Sequence, residues 1–172
     1  MSLIRHPDHS RTDHIAMESR VFGPVELVGG VGGAVFETTT ELSGATVPFR
    51  LEVDYPSRFD ERQVEQLDAI LLGWERIDMM ARDALTAALD DPDSAPSALF
   101  REWEEEFASG NGDTRDFLAE LKPESVTMLW DAPGSHQDRI VMPWGYSLAA
   151  GSVVLRFRER VGVEIDPARS AV

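Results

Sequence analysis

The one histidine beyond the first sixteen residues stands in Ser135-His136-Gln137-Asp138. A hydroxyl, an imidazole and a carboxylate are the groups from which a nucleophile, its base and an orienting acid are assembled. Groups so near in sequence seldom point at one another, and the Asp131-Ala132-Pro133-Gly134 that precedes them is ordinary turn chemistry. The segment reads first as a loop. Ser135, His136 and Asp138 are therefore the catalytic candidates of a secondary, enzymatic reading.

The other three histidines, His6, His9 and His14, alternate with Asp8 and Asp13. Spacings of this kind serve a metal only with a further ligand and a fixed geometry, and the sequence implies neither, so no metal site is expected. The Gly-Gly-Val-Gly-Gly run at 29–33 matches neither phosphate-loop pattern, since no lysine follows and the glycine spacing is wrong. No cofactor is expected.

Two charged groupings suit binding rather than catalysis. Arg156 and Arg158, with Arg160 beyond them, fall on one face of an alternating strand. They read as an anion site or as ordinary surface answered by Glu164 across a hairpin. Glu104, Glu105 and Glu106 lie largely opposite the apolar side of a helix, as a binding patch for a basic partner or as a solvated face.

The triplet reads first as a solvated face and the chain's charge first as a source of solubility, with binding as the second use of both. Net charge is −15, and residues 52–124 hold 20 acidic against 7 basic side chains, while residues 125–172 balance at 5 against 5. Nucleic acid is disfavoured as a partner, because it needs a basic footprint. A basic protein partner fits, drawn by the acidic field of the middle third.

The 172 residues suggest a flexible tail at 1–16 and a single domain at 17–172. There is no cysteine, which excludes disulfides and thiolate sites. No apolar run approaches the ~18 residues of a membrane span, and the N-terminus has no apolar signal core. A soluble, cytoplasmic protein is the simplest expectation.

Positioning falls to a long amphipathic helix at 59–89. Leu67, Ile70, Trp74, Ile77, Ala81, Ala84 and Ala88 recur at steps of three and four. Asp60 and Gln63 form a capping box, and Asp90-Asp91-Pro92 stops the helix. Gly73 is a natural bend. Leu72 and Met79 fall off the stripe, as a greasy outer face or a dimer contact. Shorter helices follow at 97–108, with Leu99, Phe100, Trp103 and Phe107 inward, and after the cap Asp113. Strands flank the helices. On one side are 22–28, 34–42 and the alternating 47–53, with the glycine run as a hairpin loop. On the other are 126–130, 138–144 and the pair 153–158 and 161–165. Strands, helices and strands again, without βαβ alternation, predict α+β: an antiparallel sheet of hairpins with one long and two shorter helices packed on one face.

This ordering resembles a group of small bacterial proteins of unknown function that are likened to toxin-immunity proteins. Phe22-Gly23-Pro24 at the first hairpin, the strand at 47–54 feeding the long helix, and Trp144-Gly145-Tyr146-Ser147-Leu148 before a closing hairpin ending Val163-Glu164-Ile165 carry the likeness. It spans 21–166. It implies a non-catalytic, immunity-like protein and brings no catalytic residues with it.

Overall fold

The computed structural model describes residues 14–30, 33–56, 59–108, 112–130, 138–145, 152–158 and 162–166. Within them the chain is α+β, with nine strands in one sheet and four α-helices. The first four strands form a meander: β1 (His14–Ser19), β2 (Gly23–Gly30), β3 (Gly33–Leu42) and β4 (Ala45–Val53). Each pairs antiparallel with the next. Ser43 and Gly44 make the β3–β4 turn with φ of 52° and 76°, the positive pair that a two-residue hairpin requires.

The helices follow without interruption by a long strand. They are α1 (Glu61–Leu72), α2 (Trp74–Ala88), α3 (Ala95–Trp103) with a π-helical turn at Glu104–Ala108, and α4 (Thr114–Glu120). The chain then returns through β5 (Lys122–Pro123), β6 (Val126–Trp130), β7 (Asp138–Gly145), β8 (Val153–Arg158) and β9 (Gly162–Ile165).

The sheet runs β1-β2-β3-β4-β6-β7-β8-β9, with β5 beside β7. It is mixed, not antiparallel as expected, because β6 enters parallel to β4, with Phe49 opposite Val126 and Val53 opposite Trp130. Antiparallel neighbours can share a tight turn, whereas a parallel pair needs a crossover, and here the whole helical excursion serves as one.

Alternation decides the core. Val47, Phe49, Leu51 and Val53 of β4 face it beside Val126 and Met128, then Ile140, Met142 and Trp144, then Val153, Leu155 and Phe157. From the helices come Val64, Leu67, Leu71, Trp74, Ala81, Leu85, Leu99, Trp103 and Phe117. Phe59 meets Trp130 edge-on at 5.7 Å, joining the start of α1 to the end of β6.

Three expectations need correction. The long helix is two helices, broken at Gly73, whose N–H bonds back to the Ala69 and Ile70 carbonyls while its own carbonyl accepts from Arg76. Residues 14–16, read as tail, open β1, where Ile15 and Met17 pack on the core; two apolar residues are too few to show a period. Phe107, expected inward, is 47% exposed. The π turn takes more residues per revolution than an α turn and so rotates Phe107 off the stripe that Leu99 and Trp103 follow.

Candidate functional site

The acidic triplet follows directly on an aromatic anchor that seats α3. Ser94 caps α3 by accepting from the Ser97 N–H at 3.2 Å, and Pro96 lies in the first turn. Phe100, Trp103 and Phe117 then form a mutual cluster with ring centroids 5.3–6.0 Å apart, which seats α3 against α4. Beyond that anchor the π turn presents Glu105 and Glu106 to solvent, with Glu104 half-buried. Asp113 caps α4 by accepting from the Arg115 N–H at 2.8 Å, and Asp116 and Glu120 follow on its exposed side.

The pattern extends over the helical region. Of the eighteen acidic residues between 59 and 124, fifteen are exposed, against five exposed basic residues. The remaining three acids include Asp68, which is buried, and Asp78, which is half-buried and answered. Asp78 takes the Ser43 hydroxyl and the Arg82 Nε at 2.9 Å. Arg82 also donates to the Leu118 carbonyl at 2.9 Å and lies 5.3 Å from the Trp144 ring centroid. This guanidinium ties α2 to α4 and β7, so it does not neutralise the acidic surface.

Asp68 is a polar residue that the apolar stripe conceals. It follows Leu67 on the inward side of α1 and is 4% exposed. Its carboxylate accepts from the Ser19 hydroxyl at 2.6 Å and the Arg20 N–H at 2.8 Å. The Ser19 Oγ in turn accepts from Val21 N–H at 3.1 Å and Phe22 N–H at 3.0 Å. Two bonds fasten the β1–β2 turn to α1, and two more close the turn on itself. The available signal was an acid four residues after Val64 and three before Leu71, on the side that should be apolar.

On the side of β4 away from its buried residues, Arg50 is bonded to Glu52 and Glu37, which hold its guanidinium above its ordinary pKa, Glu52 first. Arg156 forks onto Asp166, with Nε at 2.7 Å and a terminal nitrogen at 2.8 Å from the two carboxylate oxygens. An anion arriving at Arg156 therefore competes with a carboxylate already in place. Arg158 lies in β8 opposite Gly162.

Ser135 and His136 lie outside the described residues, as do His6 and His9. Asp138 opens β7 opposite Arg158. Among the described residues no cluster of three His, Asp or Glu side chains is disposed to hold a metal ion, and no helix is long and apolar enough to cross a membrane. No protein-family model, curated protein or solved structure matches the chain.

Proposed function

We propose that the protein is a non-catalytic interaction module, immunity-like in kind, whose helices gather on one face of the sheet and offer their acidic surface to a basic protein partner. The observation that carries this reading is the exposure of fifteen of the eighteen acids between 59 and 124. A soluble protein needs some exposed charge, but mixed signs would serve that purpose as well. Here one sign dominates, and the Glu105-Glu106 end carries Phe107 with it, 47% exposed. Acid around an exposed aromatic ring is a combination suited to a basic partner with an apolar anchor.

The experiment is capture from the source cell, then association rates for the captured protein across a salt series. Screening shortens the Debye length from about 10 Å at 0.1 M salt to about 3 Å at 1 M, so association should slow steeply while dissociation changes less. Reversing Glu105 and Glu106 to lysine should slow it further with no loss of fold. An acidic partner, or an on-rate indifferent to salt and to the reversal, sinks the proposal. If nothing is captured and a small molecule raises the melting temperature, the alternative takes over: a ligand binder or enzyme around Ser135, His136 and Asp138.

A further inference from the structure

The β1–β2 hairpin parts early from the rest of the sheet. β2 pairs with β3 at only three positions, Val28 to Gly30 opposite Val35 to Gly33, whereas β3 pairs with β4 at nine. Beyond Val35, β3 has β4 on one side and, among the described residues, no strand on the other. Residues 36–42 are therefore an open edge in the middle of the strand order.

Parity shows which main-chain groups that edge presents. In an antiparallel ladder, every second residue turns its N–H and C=O to the same neighbour. Leu42 and Ala45 flank the two-residue turn and bond to one another, which turns Leu42, Thr40, Thr38 and Phe36 to β4. Gly33 and Val35 turn the other way, to β2. Glu37, Thr39 and Glu41 continue on that side with no strand opposite them, and all three are exposed. The edge thus offers three N–H and C=O pairs in a row, about 7 Å apart.

Side chains along the same stretch select what can pair there. Phe36, Thr38 and Thr40 are half-buried on the core side, with the Phe22 ring 5.6 Å from that of Phe36. Glu37 and Glu41 lie on the outer side, and Glu26 of β2 stands exposed on the far lip of the opening. Arg50 already bonds Glu37 and Glu52, while Glu41 takes only the Thr46 hydroxyl. We propose that this edge receives an extended segment of a partner protein as an added strand, its residues alternating basic and apolar. The basic ones would lie beside Glu37 and Glu41, the apolar ones beside Phe36, Thr38 and Thr40. A second copy does not fit. Two β3 edges meeting antiparallel about Thr39 would set Glu37 against the copy's Glu41, like charge opposite like. The site is separate from the π turn, and it stands or falls apart from the acidic helical surface.

Amide hydrogen exchange of the full chain reads the edge directly. The probe is a short peptide of alternating lysine and valine, with its glutamate–valine counterpart as control. The lysine peptide should slow exchange at Glu37, Thr39 and Glu41 about tenfold or more, while Thr38 and Thr40, already bonded to β4, change little. The glutamate peptide should slow none of them. Thr39→Pro removes a donor from the open side alone, so it should keep the fold and lose the protection. Glu37→Lys with Glu41→Lys should weaken binding of the lysine peptide about tenfold and leave the melt intact. Glu105→Lys with Glu106→Lys should change it less than about twofold. Unchanged exchange at the three amides in millimolar lysine peptide overturns the proposal. So does protection that survives Thr39→Pro, that falls on every residue of β3 alike, or that is lost with the Glu105 and Glu106 changes, which would place the peptide on the helices.

Discussion

Replacing Asp68 by alanine removes two hydrogen bonds to a buried carboxylate, at 2.6 Å and 2.8 Å. Bonds to charged groups contribute about 1.5–3 kcal/mol each. Against that loss, alanine no longer buries a charge, which returns part of the sum. It also strands the Ser19 hydroxyl, in a residue only 2% exposed. A net destabilisation of about 2–4 kcal/mol follows. For a chain of this size that is roughly 5–15 °C in Tm, at about 2–4 °C per kcal/mol. Asp68→Asn should cost less, about 1–2 kcal/mol, because one acceptor survives while the amide turns a donor toward another donor. Ser19→Ala also frees the Val21 and Phe22 N–H groups and should match the aspartate variant in size. The double variant should fall short of the sum by about 1–2 kcal/mol, since the two residues share one network. Denaturant unfolding followed by the fluorescence of the four tryptophans measures all four. A loss under about 1 kcal/mol for Asp68→Ala, or strict additivity with Ser19→Ala, would refute the idea that this network holds the β1–β2 turn to α1.

Trp74, in the core and 9% exposed, should cost about 3–5 kcal/mol on change to alanine in the same assay, and a loss under about 1 kcal/mol would remove it from the core. Two glycines should part company. Gly33 has φ of +124° and a Cβ there would sit 2.7 Å from the Val53 carbonyl oxygen, whereas Gly44, at +76°, has nothing within 4 Å. Gly33→Ala should therefore cost about 3 kcal/mol or more and Gly44→Ala about 1 kcal/mol, and equal shifts in denaturation midpoint would be the failure. Arg82→Lys keeps the charge but loses the fork between Asp78 and Leu118, and should destabilise by about 1–2 kcal/mol in thermal unfolding; no change would mean that the contacts contribute nothing.

The strands were legible because a period of two survives in short stretches: Val47, Phe49, Leu51 and Val53 announce β4 without help. Caps were equally plain, since Asp60 with Gln63 and Asp113 act within a few residues of themselves. Strand order was not, because alternation tells which face is buried and not which neighbour lies beside it. The parallel entry of β6 thus escaped. Phe107 misled for a related reason: its spacing from Trp103 is helical, and nothing in Glu104-Glu105-Glu106 signals a π turn. The charge asymmetry was readable from counts alone. The exposure of nearly every acid in the helical region, and the burial of Asp68, belong to the fold.

The β4–β6 pairing has a further consequence for how the chain comes together. The other ladders join strands close in sequence, so 14–53 and 122–166 each assemble by local steps. Phe49 and Val126 meet only when the chain between them is looped back. Entropy resists this less than the distance suggests, since each doubling of loop length adds only about 0.6 kcal/mol. Time resists it more, because distant contacts form slowly. Until they form, two half-sheets each carry an unpaired edge, β4 on one and β6 on the other. These are the edges most open to pairing with the wrong strand, and the helices between them are what must fold in time to prevent it.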